Sequence, residues 1–359
     1  MSQTGFPFLY MRGGSSKGPY LRRADLPDDR DALAEVLIAM LGAGHPLNID
    51  GIGGGAAVTT KVAMLSPSND DWADVDYFFA QVGVEERFVD FKPTCGNILV
   101  GVGPAAIEMG LVPVAGEETS VRIRAVNTGA RVEAWVHTPN GAVAYGGTAQ
   151  IDGVPGCAAP VALQFMDTVG GVTGSLFPTG APLDTVHGVE VTCMDVAMPM
   201  VIGRAADFGV TGYETIDELD GNTALMSRIE DVRREAGGRM GMGDVATSVT
   251  PKFGLLAAPR QGGTAAVRYF MPWRCHPTLA VTGSQCLAAC LLSPHTVAEG
   301  LAPVAPHTPA TITLEHPMGQ MDVVVEYSRQ RDSVDIRSAG LVRTARKLAQ
   351  GTVFIPTLA

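Results

Sequence analysis

The sequence predicts an α+β protein of two similar domains, each a curved sheet wrapped around one central helix. Three observations predict it. The first is an internal repeat: "TKVAMLSP" at 60–67 is echoed by "PKFGLLAAP" at 251–259, and Tyr77–Phe78 by Tyr269–Phe270. Nearly equal gaps separate Lys61 from Tyr77 and Lys252 from Tyr269, and a helix start made of small residues follows each time, "TCGNILVGVG" and then "VTGSQCLAAC". The second is composition: 43 glycines and 24 prolines in 359 residues suit short strands and tight turns better than a helical bundle. The third is the breaker-rich "FPTGAPLD", which falls between the two halves and sets domains of 1–182 and 183–359, with chain ends free to cross over.

The elements follow in order. "FPFLYMRGGSSKGPYL" reads as a strand, a glycine–serine turn and a second extended stretch. Residues 28–42 carry a helical period through Leu33, Val36, Leu37, Met40 and Leu41, with a glycine stop. "VTTKVAML" and "VDYFFAQVGV" are strands, and 95–110 is a helix that Pro104 disturbs. Valine-rich strands come next, "TSVRIRAVNTG", "ARVEAWVHT", "GAVAYGGTAQI" and "PVALQFMD". In the second half "CMDVAMPMV", after the strand "GVEVT", is a looser counterpart of "YMRGGSSKG".

The charge balance limits the partners. A formal net charge of -11 gives no general attraction to nucleic acid or anionic lipid, although local cations and helix ends can still hold a small anion. No basic leader precedes an apolar run and no span of about 20 apolar residues occurs, so the chain reads as soluble and cytoplasmic. None of the six cysteines forms a CxxC pair or a zinc-like cluster, which predicts reduced thiols and no metal. Cys286 and Cys290, four apart, share a helical face where buried thiols are common.

Two helix starts facing a cleft between the domains would hold a small dicarboxylate or tricarboxylate through their unpaired N–H groups. Thr94 is placed to cap the first helix, with Cys95 in its first turn, Gly96 allowing close approach of a ligand and Asn97 adding a directional donor and acceptor. Cys95 is then a proton donor, a hydrogen-bond partner or a packed thiol. Lys61 stands among apolar and threonine neighbours, where desolvation favours the free amine and hence a base, or else it points from an exposed strand face. Gly53, Gly54 and Gly55 just upstream suggest a turn built for close backbone approach. Arg12, Ser15, Ser16 and Lys17 could offer donors to a carboxylate or form a solvent hairpin. In the second half Arg274 could clamp a carboxylate, His276 could act as acid or base or serve only as a turn residue, and Thr282, Gly283 and Ser284 would line the second helix start. Lys252 and Arg268 are further basic candidates.

The stretches "YMRGGSSKG", "IDGIGG", "TKVA", "DVDYFFAQV", "CGNILVGVGP", "IDGVPG", "GVEVTCMDVAMP" and "GVTGYE" resemble the PrpF family over about residues 6 to 350. The resemblance implies a diaminopimelate epimerase-like fold with the active site between the domains and no cofactor. It also implies a cofactor-free isomerase that shifts a double bond by 1,3-proton transfer, acting on 4-oxalomesaconate in bacterial breakdown of gallate, protocatechuate and lignin-derived aromatics. The alternatives are 2-methylaconitate cis-trans isomerisation and a non-catalytic carboxylate-binding protein; a homodimer is the default assembly. Diaminopimelate epimerase uses two thiols. Cys95 matches the first, but Thr282 stands at the second and Cys286 lies one turn too deep, which speaks against a two-thiol racemase. By the same resemblance Lys61 matches the family's strand lysine and its role as base, while Cys95 or a hydroxyl assists.

Overall fold

The computed structural model describes residues 2–151, 153–301 and 307–357; Asp152 of "IDGVPG" lies outside the described residues. The chain forms two compact units, Met1–Gln164 with Val342–Ala359, and Phe165–Leu341. No helix among the described residues is long and apolar enough to cross a membrane.

In the first unit, strands β1 (Gln3–Gly13) and β2 (Ser16–Arg22) form a hairpin, followed by helix α1 (Arg30–Leu41) and strands β3 (Lys61–Pro67), β4 (Val75–Val82) and the short β5 (Val89–Asp90). Helices α2 (Gly96–Leu99) and α3 (Val102–Glu108) come next, then β6 (Glu118–Ala125), β7 (Arg131–His137) and β8 (Pro160–Met166). Pairing alternates along the sheet: β1–β2 antiparallel, β2–β3 parallel, β3–β4 antiparallel, β4–β6 parallel and β6–β7 antiparallel.

The second unit contains β9 (Asp184–Val186), β10 (Val189–Asp195), β11 (Pro199–Arg204), α4 (Ile216–Asp220), α5 (Thr223–Arg239), β12 (Lys252–Ala257), β13 (Ala265–Phe270), α6 (Val281–Leu292), β14 (Ala310–His316), β15 (Gly319–Arg329) and the first part of β16 (Val334–Pro356), whose remainder from Val342 belongs to the first unit. From β10 onward its pairings repeat those of the first unit: β10–β11 antiparallel, β11–β12 parallel, β12–β13 antiparallel, β13–β14 parallel, β14–β15 antiparallel. The repeat in the sequence is therefore a repeat of topology. Chain ends do cross over, since β16 pairs with β15 up to Leu341 and with β1 further along.

Strand alternation divides the work of each sheet. In the first unit Leu21, Val62, Met64, Ala80 and Val82 pack against the apolar stripe of α1, Leu33, Val36, Leu37, Ile38 and Leu41. Asp29 accepts the N–H groups of Asp31 and Ala32 to start that helix, and Gly42, left-handed at φ 73, ends it. The other face holds α2 and α3: the Tyr20 hydroxyl donates to the Ile98 carbonyl at 2.5 Å and Tyr77 to that of Cys95 at 3.4 Å. In the second unit α5 covers Val191, Cys193, Val201, Phe253 and Leu255, while the fully buried Cys286, Leu287, Ala289 and Cys290 of α6 pack on Met200, Ile202, Val267 and Tyr269. A fully buried aliphatic side chain contributes about 1.5–3 kcal/mol, so these two layers outweigh any surface pairing.

Three sequence expectations change. The break between units falls at Gln164/Phe165 and not at 182, because the buried Asp195 binds the intervening loop to β10: its Oδ2 accepts from the N–H groups of Val172 and Thr173 and from Thr173 Oγ1 at 2.8–2.9 Å. "GAVAYGGTAQI" is not a strand; only the bridge Ala149↔Ala158 remains, and Tyr145 is turned to donate to Glu108 of α3 at 3.1 Å. The helix over 95–110 breaks at 100–101 instead of at Pro104, which sits in the first turn of α3, where its missing N–H costs nothing.

The approach to β12 depends on one arginine. Arg233 of α5 is fully buried, pairs with Glu230 at 2.7 Å and donates to the carbonyls of Val245, Ser248, Thr250 and Pro251. Arg233→Met strands those acceptors and is expected to cost about 3 kcal/mol, read as a fall in the urea midpoint of unfolding.

Candidate active site

Lys61 opens β3 directly opposite Gln81 of β4, on the face that turns toward α2 and α3. Half-buried, its Nζ donates to Gln81 Oε1 at 2.6 Å and lies 5.5 Å from the centre of the Phe79 ring. Gly18 of β2 lets the neighbouring strand reach this point: a Cβ there would lie 1.8 Å from the Lys61 carbonyl oxygen. Tyr77, Phe79 and Gln81 alternate along β4, so one strand face runs from the Cys95 carbonyl to the Lys61 amine, about 13 Å along the backbone. Lys61 and Cys95 share this face without a direct hydrogen bond between them.

Thr94 does not cap the helix. Cys95 is itself the capping residue, with extended backbone (φ -132, ψ 108) and no side-chain cap bond, and its carbonyl accepts the Leu99 N–H at 2.9 Å as well as the Tyr77 hydroxyl. The thiol therefore precedes the first turn, and α2 has only four residues. Cys95 is half-buried and free of disulfides.

The β1–β2 turn packs on the start of α2. Gly14 has φ +51, and a Cβ there would lie 2.1 Å from Asn97 Oδ1; a Cβ on Gly13 would lie 2.4 Å from the Asn97 carbonyl oxygen. Asn97 Oδ1 accepts the Ser15 N–H at 3.4 Å. The structure thus brings Ser15, Gly96, Asn97 and Cys95 together, with Ser15 exposed and Ser16 buried opposite Gly13. Arg12 donates through one nitrogen to the carbonyls of Gly14 and Thr344, both at 2.8 Å, so that nitrogen fixes the hairpin and β16. Burial and the neighbouring Arg346 lower its pKa, against a smaller opposing effect of Tyr20. Gly54 is exposed, and the glycine turn around it serves the end of α1: Cβ atoms on Gly51 and Gly53 would lie 2.3 Å and 2.5 Å from the carbonyl group of Leu41.

The second unit, by itself, has a comparable helix start. A Cβ on Gly283 would lie 2.3 Å from the Tyr269 ring, and the Tyr269 hydroxyl is buried without a hydrogen-bond partner. Burial pushes that phenol well up, as it does Tyr20 and Tyr77, so all three are neutral donors at physiological pH. The His276 ring meets Tyr269 edge-on at 5.9 Å and its Nδ1 accepts the Thr278 N–H at 2.9 Å, which leaves the proton of the neutral ring on Nε2. Thr282 is half-buried in the first turn of α6; Ser284 is fully buried and its Oγ donates to the Val281 carbonyl at 2.8 Å, inside the helix. Arg274 is exposed in the turn closed by the Met271 N–H to the Arg274 carbonyl. Among the described residues no group of three or more His, Cys, Asp or Glu side chains is placed to hold a metal ion.

Gln81, Tyr77, Tyr20 and Tyr269 were not singled out for chemistry in the sequence, although the alternation of "VDYFFAQV" puts Tyr77 and Gln81 on one face.

This arrangement has known relatives. The PrpF protein family model matches residues 3–356. The chain belongs to the PrpF family. A 4-oxalomesaconate tautomerase of Pseudomonas putida is 47% identical over 99% of this chain and 97% of its own length. A (4E)-oxalomesaconate Delta-isomerase of Novosphingobium is 46% identical over 97% of each. The crystal structure of a methylitaconate-delta-isomerase superposes with a TM-score of 0.91 at 31% identity, covering 99% of this chain and 96% of that one. This PrpF member is an isomerase, and the two-unit fold expected from its sequence is the one observed.

Two consequences can be measured. Gly14→Ala combines an unfavourable φ with a clash at Asn97, so it should lower stability by about 1–3 kcal/mol in thermal or urea unfolding and raise KM. Burial lowers the His276 pKa, with Lys252 adding to it against the Thr278 bond, so the unfolded chain takes up a proton near pH 6.5 before the folded one. Stability should therefore fall as pH drops through 6.5, and His276→Gln should remove that part of the dependence in urea titrations at several pH values.

Proposed function

We propose that the protein catalyses a 1,3-proton transfer in 4-oxalomesaconate, without a cofactor, with Lys61 as the base. The observation that carries this reading is the setting of Lys61: an amine on the helix-facing side of the sheet whose hydrogen-bond partner is a neutral amide and which, among the described residues, pairs with no carboxylate. A lysine held by a carboxylate is one half of an ion pair; a lysine held by an amide has no counter-ion to give up before it exchanges a proton with carbon.

The neutral amine removes a proton from a carbon flanked by unsaturated and carboxylate-bearing carbons, and the electron pair left behind spreads over the conjugated system as a dienolate. The proton returns at the far end of the three-carbon unit from the Lys61 ammonium; where the Cys95 thiol donates instead, the Lys61 ammonium loses its proton to solvent and the Cys95 thiolate takes one up before the next turnover. Substrate and product then differ only in the position of one hydrogen and one double bond, and the enzyme is left as it began. The Asn97 amide, whose oxygen accepts the Ser15 N–H, supplies its N–H donors for substrate oxygens, and the buried neutral phenol of Tyr77 keeps the Cys95 carbonyl in place. Such a substrate places the enzyme after ring opening of a polyhydroxylated aromatic acid, as in the breakdown of gallate and protocatechuate.

The test is ultraviolet absorbance with purified enzyme and each substrate. Turnover of 4-oxalomesaconate should greatly exceed that of 2-methylaconitate; the reverse order would overturn the substrate. Lys61→Met should fold normally and lose about 10²–10⁴ in kcat, the usual range for a general base. Near-normal turnover by that variant would remove Lys61 from the role.

A further inference from the structure

The geometry points to Gln81 as a positioning residue that holds the Lys61 amine while leaving its lone pair open to the substrate. This rests on Lys61 being the base. The amide of Gln81 can face Lys61 in only one way. Its Nε2 stands among four acceptors: the carbonyls of Ala57 (3.2 Å), Thr60 (3.2 Å) and Val82 (3.1 Å), and Thr60 Oγ1 (3.2 Å). Thr60 is fully buried and its own hydroxyl proton goes to the Val82 carbonyl at 2.8 Å, so toward Gln81 it can only accept. A flipped amide would turn its oxygen on three carbonyls and take the donor from the Ala57 carbonyl and Thr60 Oγ1, since only the Val82 and Thr60 carbonyls have a second donor, the Thr60 hydroxyl and the Val82 N–H.

With Nε2 locked, Oε1 faces Lys61 Nζ at 2.6 Å and can only accept. A neutral amine has two N–H bonds and one lone pair. Giving one N–H to Oε1 leaves the lone pair unblocked, whereas an amide turned the other way would donate to that lone pair and quench the base. After proton transfer the ammonium keeps the same bond, so neither step requires the pair to rearrange.

The amide is also a spacer. Gln81 pairs with Lys61 on one side and with Asp90 of β5 on the other, so the three side chains share one face across three strands. Lys61 and Asp90 are then about 10 Å apart between backbones, and the Asp90 carboxylate accepts the Lys92 N–H at 2.9 Å. The other titratable groups on this side are Tyr20 on β2, Tyr77 on β4 and Cys95 before α2; none of them hydrogen-bonds to Lys61 in the structure, and Phe79 offers only its ring. A carboxylate at 81 would bring the charge that the amide keeps away.

The experiment is the pH profile of kcat/KM for wild type, Gln81→Glu, Gln81→Met and Lys61→Met, with competitive acetylation of Lys61 followed by mass spectrometry as a second readout that does not depend on turnover. In Gln81→Glu the acid limb and the labelling midpoint should both move up by a pH unit or more, a loss of tenfold or greater below the limb that is recovered at high pH. In Gln81→Met, which keeps the volume and removes the acceptor, both should move down, with kcat reduced about tenfold because the amine is no longer held. Variants that lose activity by the same factor at every pH, with the labelling midpoint unmoved, would overturn the positioning role. Should Gln81→Glu fail to fold, the Gln81→Met midpoint decides alone. An active Lys61→Met would instead overturn the base assignment on which the inference rests, so the two failures are distinguishable.

Discussion

Close contact between a sheet tyrosine and a glycine of the central helix is the constraint on which both units depend. In the first unit a Cβ on Gly101 would lie 2.3 Å from the Tyr20 hydroxyl oxygen, and in the second a Cβ on Gly283 would lie 2.3 Å from the Tyr269 ring. No other residue allows this approach without moving the helix away from the sheet, and the space within each sheet is filled by side chains that are almost wholly buried. The phenols bring polarity into that dry space. Tyr20 and Tyr77 satisfy it on the carbonyls of Ile98 and Cys95, which fixes the start of α2 at two points.

That fixed helix start gives the candidate site its precision. The β1–β2 turn can lie against Asn97 only because Gly13 and Gly14 have no side chains, and β2 can lie against the Lys61 carbonyl only because Gly18 has none. The positions are set by close approach of backbone, which suits the proposed proton transfer, whose two proton sites would belong to one small substrate. Lys61 itself is held by an amide that is locked on its far side by four acceptors. The site is thus built from the strands outward: β4 carries Tyr77 to the helix and Gln81 to the lysine.

Much of the fold was legible in the sequence because repetition is a property of the chain itself. The match of "TKVAMLSP" to "PKFGLLAAP", with a small-residue helix start after each, foretold β3 and β12, α2 and α6, and a similar topology in the two halves, which the structure shows as one order of parallel and antiparallel pairs. Lys61 and Cys95 were visible as a charge and a thiol in otherwise apolar surroundings. Gln81 was not, since a glutamine near the end of a strand has no meaning until the partner opposite it is known. The role given to the glycine turn at 53–55 shifted for a similar reason: a glycine's freedom shows that something comes close, and here it is the end of α1.

The sequence by itself determined the local preferences: strand alternation, the stripe and caps of α1, the duplicated order of elements and the residue types able to move a proton. Those depend on neighbours along the chain, within one turn or one strand. Tertiary structure decided register and partnership. It placed Cys95 before the helix instead of within it, drew 165–182 into the second unit through Asp195, and set an amide and not a carboxylate opposite Lys61. Whether a lysine is a base or one half of an ion pair depends on what the neighbouring strand presents at hydrogen-bond distance, and folding alone fixes that distance.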